Sequence, residues 1–389
     1  MAYKLARAGA RVTVFDPSHP REKPCGGGVT GRALAMVSDT IVRCQTVSDT
    51  IWGCQTPVEI RRARFGQATV PLDDDALVVT SRAAFDAALL TAAERAGASI
   101  ERTRVVDLSI DRTGVDVMTP HARHRASWIV GADGANSLVR RRVARAFGRR
   151  QLSIATGFYA RGVTCDEIVI EFTADPPGYI WSFPRADHLA IGICAQADAG
   201  TTSAALRART ADWVRGSAAG LPVEAAEPQR WVPYSWPIPS LTADDFERLD
   251  FVGPRWMLVG DAAGLVDPIT REGIFFALQS AEFAAAALGA KGPATEYAAR
   301  LRDDTIAELT LAARLKSGFF TPPFVRLLVN ALERSAPIRA VMADLIAGRQ
   351  RYRTLKWRLT KTFEIGLAWK ALNVRLKPDA TWQNNRPAL

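Results

Sequence analysis

Four stretches of this chain carry residues whose types and spacing could do chemistry. Trp256–Gly273 reads WMLVGDAAGLVDPITREG, in which an apolar run delivers Asp261 to the carboxyl end of a strand and Gly260, Ala262, Ala263 and Gly264 let a ligand approach the backbone. Glu272–Gly273 then opens a helix whose amides and dipole can face an anion, so the segment suits a ribityl and pyrophosphate chain. Trp128–Arg140 (WIVGADGANSLVR) has the same plan, with Asp133 and Gly134 in a turn before an Arg-rich helix. Lys23–Gly28 (KPCGGG) sets a thiol, Cys25, ahead of three glycines. In Pro176–Pro184 (PPGYIWSFP), Tyr179, Trp181 and Phe183 alternate, so all three point to one face of a strand and can wall a long apolar substrate. Residue type alone also allows plain core packing for these aromatics, and a small packing role for Cys25.

The elements that must position these residues follow from periodicity and punctuation. Ala2–Ala8 reads as helix, and Arg11–Phe15 as a strand closing on Asp16. Together they read as the second half of a βαβ nucleotide-binding unit, with Asp16 placed to accept ribose hydroxyls, or simply as a helix followed by a strand. No G-x-G-x-x-G precedes them, so the expectation is a chain that starts inside the crossover helix, one strand and one phosphate loop late. A helix is expected near Arg32–Val37, a hairpin over Val58–Val70, a strand over Leu77–Thr80 and a helix over Ser81–Gly97. Strands are expected at Ile100–Val106, Val115–Met118, Trp128–Val130 and Trp256–Val259, with a strand-rich module between 150 and 250. Glu272–Leu288 reads as a long apolar helix, and from Ala294 the pattern is helical with breaks at Pro322, Pro323 and Pro337. Val37–Thr46 and Val47–Thr56 are a tandem ten-residue repeat, too short for a solenoid and read as a local duplication.

The two glycine-acid turns, in this order, resemble the flavoprotein monooxygenase fold of the p-hydroxybenzoate hydroxylase type. Two further matches, the P-C-G-G-G loop at 24–28 and the P-x-x-Y-x-W-x-F-P run at 176–184, resemble the geranylgeranyl reductase family within it. That resemblance implies an α/β fold (α+β overall): an interleaved Rossmann-like FAD-binding domain (1–56, 76–148 and 250–292), an inserted antiparallel β-sheet substrate domain (57–75 and 149–249) and a helical C-terminal region (293–389). It implies FAD contacts from Asp16, Arg82, Asp133, Gly134, Gly260, Asp261, Pro268, Gly273 and Ile274, and substrate contacts from Tyr179, Trp181 and Phe183. Cys25, Tyr179 and Trp181 take the catalytic positions, Cys25 tuning the redox chemistry or supplying a proton. Arg271 departs from the family, which usually has Gly there; Glu272 or the pyrophosphate are its expected partners. The implied activity is reduction of carbon–carbon double bonds in an isoprenoid chain, with FAD reduced by NAD(P)H or another donor. The alternatives are an aromatic hydroxylase or halogenase on the same fold and, from another class, a non-catalytic truncated paralogue or wrongly started gene.

Composition bounds the rest. The 389 residues are 48% hydrophobic and 23% charged, which excludes disorder and fibrous repeats. Five scattered cysteines make no disulfide framework or zinc pair, and no run is apolar enough to span a membrane, so a cytoplasmic protein is expected. Of the net charge of +10, the stretch Arg349–Lys377 carries +8. Its cations interleave with Leu355, Trp357, Leu359 and Trp369, a mix that suits peripheral contact with an anionic membrane at the cytoplasmic face, a solvated helix being the plain alternative. No nucleic-acid motif accompanies the charge.

Overall fold

The computed structural model describes residues 1–41, 57–216 and 220–362. The second copy of the tandem repeat and the part of the basic tail after 362 lie outside the described residues.

The largest element is a seven-stranded sheet. Its strands run in the order Trp231–Pro239, Leu152–Arg161, His188–Gln196, Pro177–Pro184, Ile168–Ala174, Arg62–Phe65 and Ala68–Pro71. The strand-rich 150–250 segment thus recruits a hairpin from far upstream, joined to it by the parallel pairing of Ile168–Ile170 with Ala63–Phe65. That hairpin is shorter than the sequence suggests: Val58–Glu59 leaves it to pair with Leu77–Val79 in another sheet. The period-2 alternation of Pro177–Pro184 sorts its residues to two sides. Ile180 packs with Ile193 and Leu206 under the helix Ser203–Arg215, while Trp181 packs with Tyr179, Phe183 and Tyr234 on the opposite face. Helices Pro322–Arg334 and Ala336–Ile346 cover the 62–71 end, burying Phe65, Val70, Leu328, Leu332 and Ile338 in one cluster.

The nucleotide-type strands are much shorter. Thr13–Phe15 pairs in parallel with Ser99–Glu101, and Ile129–Gly131 with Trp256–Leu258, in two separate sheets. Among the described residues, Thr13–Phe15 and Ile129–Gly131 are each paired along one edge only. Where one strand over Ile100–Val106 is expected, the chain makes Ser99–Glu101 and then a three-stranded meander, Asp107–Ile110, Val115–Met118 and Arg123–Ala126. The last of these escapes sequence reading because it is RHRA. Its arginines are satisfied across the ladder by Asp116 and Asp111, and its His124 packs edge-on against Phe15, so polar pairing replaces apolar alternation.

Helix Arg82–Arg95 begins where Ser81 accepts a hydrogen bond from Ala84 N, an N-cap of the preferred type. Helix Ile274–Leu288 follows the Asp261 turn. In the C-terminal region prolines start helices rather than merely separating them: Pro322 opens Pro322–Arg334, and Pro337 is the second residue of Ala336–Ile346, positions at which a missing N–H costs nothing.

Candidate functional site

One large cavity, of about 2050 Å³, runs between the two nucleotide-type sheets, past the Cys25 loop, and along the aromatic face of the seven-stranded sheet into the C-terminal helices. Ordinary small-molecule pockets hold roughly 300–1,000 Å³, so this space suits a dinucleotide plus a second long ligand. Every residue expected to touch cofactor or substrate lines it except Pro268, which is buried behind the turn.

Asp261 stands in the tight turn Gly260–Ala263, half-buried. Gly260 has φ +53 and its added Cβ would lie 2.9 Å from that of Ala277, so only glycine lets the turn nest against the helix behind it. Among the described residues no other side chain or amide donates to the Asp261 carboxylate. Burial pushes its pKa above the ordinary carboxylate value, opposed by the positive charges of Lys23 and Arg82. A desolvated acceptor without a partner, facing a cavity, fits a polyhydroxyl chain such as the ribityl of FAD. Gly273 and Ile274, at the start of the following helix, line the same wall.

The other two acids are placed differently. Asp133 is exposed, and its carboxylate accepts hydrogen bonds from Ser137 Oγ (2.5 Å), Leu138 N (2.6 Å) and Val139 N (3.2 Å), closing the N-terminus of helix Leu138–Val143. Asp16 accepts from the amides of Ser18 and His19 (both 2.8 Å) and meets His19 Nδ1 at 2.5 Å. Those bonds hold its carboxyl well below the usual range despite partial burial, which by itself would raise it. Both line the cavity with carboxylates already engaged by their own turns.

The Cys25 loop is clamped by charges that sequence reasoning missed. Arg185, 1% exposed, donates to Glu22 Oε1 (2.5 Å) and to the carbonyl of Cys25 (2.9 Å). Glu22 also accepts from Ser81 Oγ (2.7 Å) and Arg82 N (3.2 Å); although burial raises its pKa, Arg185 and these bonds bring it below normal. Arg82 pairs with Asp86 at 3.0 Å and donates to Cys25 Sγ at 3.8 Å. Tyr159 Oη donates to the carbonyl of Lys23. The one local signal was Arg185 itself, an arginine directly after an apolar strand and its closing proline. Its partners 160 and 163 residues away were not readable.

The aromatic triad faces the cavity as its alternation requires. Phe183 lies on the glycines of the Cys25 loop, where an added Cβ on Gly26 would be 3.0 Å from the ring. Trp181 is buried with its ring 5.7 Å from that of Tyr179. Tyr179 Oη donates to the carbonyl of Thr270 (2.8 Å), tying the aromatic wall to the Asp261–Gly273 segment, and burial keeps this phenol protonated. Beyond the triad the cavity is lined by Phe172, Phe319, Phe324, Leu328, Met342, Leu345 and, on helix Tyr352–Thr360, Leu355 and Leu359.

One expectation about charge is corrected. Glu272 does not pair with Arg271: it is held by Arg32 and by Thr30 Oγ1 (2.7 Å), and Arg271 Nη1 donates instead to Ser240 Oγ (2.6 Å). In the described part of the basic tail, Arg349, Arg351, Arg353 and Arg358 are not bare. They pair with Asp73 and Asp344, Asp304, Glu308, and Asp344 respectively.

Comparison with known proteins accords with this geometry. The chain is 28% identical over 310 residues to a geranylgeranyl diphosphate reductase of Synechocystis, spanning 72% of this chain and 70% of that one. It is 27% identical to a menaquinone reductase of Mycolicibacterium smegmatis over 95% of this chain and 94% of the relative. A solved geranylgeranyl bacteriochlorophyll reductase-like protein from Thermoplasma acidophilum superposes with a TM-score of 0.71 at 18% identity, covering 93% of this chain and 95% of that one, which shows the shared fold. The model of the FAD-binding domain family matches residues 5–296, and the chain belongs to that family.

Proposed function

We propose that this protein reduces carbon–carbon double bonds in an isoprenoid chain. The observation that carries the reading is the apolar extension of the cavity, continuous from the Cys25 loop along Tyr179, Trp181 and Phe183 to Phe319, Leu345 and Leu359. A space of that length and lining excludes water from a linear hydrocarbon and offers it flat aromatic surfaces. The similarity to proteins named geranylgeranyl diphosphate reductase and menaquinone reductase supports the same substrate class.

FAD, when bound, supplies hydride transfer, and NAD(P)H or another donor reduces it. Asp261, Gly260, Gly273 and Ile274 would hold its central portion, with Arg82 beside it. Tyr179, pinned to Thr270 O, and Trp181 fix the alkene face in a dry wall. Cys25, with Arg82 directed at its sulfur and on a loop held by Arg185 and Glu22, would be the proton source beside the glycines.

The test is anaerobic. Reduced flavin in the purified protein should be reoxidised by a geranylgeranyl or polyprenyl lipid, and saturated product should appear by mass spectrometry. Trp181→Ala should slow this reoxidation at least tenfold. No reoxidation by any such lipid, together with oxygen uptake stimulated by an aromatic compound, would transfer the assignment to hydroxylation or halogenation.

A further inference from the structure

Arg271 lines the cavity, and Lys316 meets it over one shared oxygen with no carboxylate between them. Lys316 Nζ donates to Ser240 Oγ (2.8 Å) and Gln196 Oε1 (2.9 Å), and Arg271 Nη1 donates to the same Ser240 Oγ (2.6 Å). Sharing that oxygen brings the two nitrogens within 5.4 Å of each other. Like charges held this close repel, and a partly buried site screens them poorly.

The acids nearby are already engaged. Asp267 accepts from Ile269 N, Thr270 N and Tyr352 Oη, and Glu272 is taken by Arg32 and Thr30. Asp198 and the Cys194 thiol act on Lys316 only through space, and among the described residues neither cation has an ion pair within 4 Å. Arg271 lines the cavity, as does Leu315 beside Lys316. The carbonyl that anchors Tyr179 belongs to Thr270, next to Arg271, so the cation pair sits at the end of the aromatic wall. Arg271 also keeps its side chain at φ +62, where glycine would be unstrained.

We propose that Arg271 and Lys316 form a subsite for a phosphate-class anion, the phosphate or diphosphate head of the isoprenoid substrate. The inference rests on the isoprenoid reading for the identity of that head, though not for the existence of the anion site. A dianion beside Ser240, within reach of both side chains, would take charge-assisted hydrogen bonds from donors of Arg271 and Lys316 that Ser240 and Gln196 leave free, and would offset their repulsion. Burial and Arg271 push the Lys316 ammonium down to about 7, so an arriving anion would also draw a proton onto it.

Calorimetry on the full chain tests this with inorganic pyrophosphate, geranylgeranyl diphosphate and geranylgeraniol. The wild type, Arg271→Gly and Lys316→Met would be compared at pH 8 in two buffers of different ionisation enthalpy. Arg271→Gly relieves the positive φ and should keep the melting temperature, which separates loss of binding from loss of fold. The expected result is that geranylgeranyl diphosphate binds at least tenfold more tightly than the alcohol. Each variant should lose roughly tenfold for the diphosphate and nothing for the alcohol, and the proton uptake of the wild type should vanish in Lys316→Met. Equal affinity for alcohol and diphosphate, or variants that keep the preference, would overturn the subsite. Pyrophosphate binding as tightly as the lipid diphosphate would identify a free anion and overturn the head-group assignment. If pyrophosphate binding depends on both residues while neither lipid binds, the anion site stands and the isoprenoid reading falls.

Discussion

Two turns of almost the same sequence plan, Gly131–Gly134 and Gly260–Gly264, use their aspartates in opposite ways. Both follow a short parallel strand, and the two strands, Ile129–Gly131 and Trp256–Leu258, are partners in one sheet. Yet Asp133, exposed, spends its carboxylate on three donors of its own helix, whereas Asp261, half-buried, has no donor from another of the described residues. Burial alone would rank them correctly by cost: a buried carboxylate without hydrogen bonds is expensive and persists only where something else repays it. The difference teaches that a glycine-acid motif marks a ligand only when its acid is left unsatisfied. The first turn spends its acid on its own helix, and the second leaves its acid open to the cavity.

The two turns are also bolted together. Arg140, on the helix that Asp133 caps, is 5% exposed and donates to the carbonyls of Asp250 (3.3 Å), Ala262 (3.2 Å) and Arg145 (2.8 Å), with its guanidinium 3.9 Å over the Phe147 ring. Burial brings its pKa down to about 10, still charged at neutral pH. Removing it is the largest way to break the comparison. Arg140→Ala strands three carbonyls and opens a cavity, and should cost about 3–5 kcal/mol of unfolding free energy by denaturant titration. Because Ala262 adjoins Asp261, flavin content at 450 nm should fall as well.

Replacing the acids one at a time should separate their roles. Asp261→Asn keeps the shape and removes the charge, so FAD affinity should drop about 10–100-fold, the equivalent of roughly 1.5–3 kcal/mol for a hydrogen bond to a charged group. The apoprotein should melt no lower than the wild type. Asp133→Ala should do the reverse, losing about 1–2 kcal/mol of stability as a helix cap is lost, with flavin retention falling only as far as the fold does. If Asp133→Ala loses flavin without losing stability, the two turns are equivalent and their acids do not divide the work.

How much of this was legible in the sequence depended on distance along the chain. The helix at 82–95 was readable because its cap, Ser81, and its stop, Gly97, lie within one local pattern, and the aromatic wall because a strand alternates every two residues. Both turns were readable as motifs. Their division of labour was not, because capping by Asp133 depends on which rotamer finds Ser137 and the amides after it. The clamp on Cys25 was invisible for a different reason: Arg185, Glu22 and Ser81 come from three separated segments, and nothing in a run of ten residues announces a charge partner more than fifty positions away. Strand Arg123–Ala126 failed because charges cross-paired in a ladder erase the apolar alternation on which strand reading rests.

The smallest effect probes the same contrast through pH. Desolvation raises the folded-state pKa of Asp261 above its unfolded value, so the folded apoprotein binds this proton more readily than the unfolded chain. Its charge therefore penalises folding at neutral pH, and the penalty fades as pH falls through the folded pKa toward the unfolded one. Glu22 works in the opposite direction. Its folded pKa is depressed, so its contribution is present above the unfolded pKa and is lost as pH falls through the folded value. A melting curve of the wild type alone mixes the two. The difference between wild type and Asp261→Asn cancels Glu22 and every other common group. In the apoprotein the variant should be the more stable at pH 7, and the gap should close as the pH falls below about 4, the ordinary range of an unfolded aspartate. A gap that is constant with pH would mean that the Asp261 carboxylate is already satisfied in the folded chain, as Asp133 is, and would remove the physical reason for assigning it to the ligand.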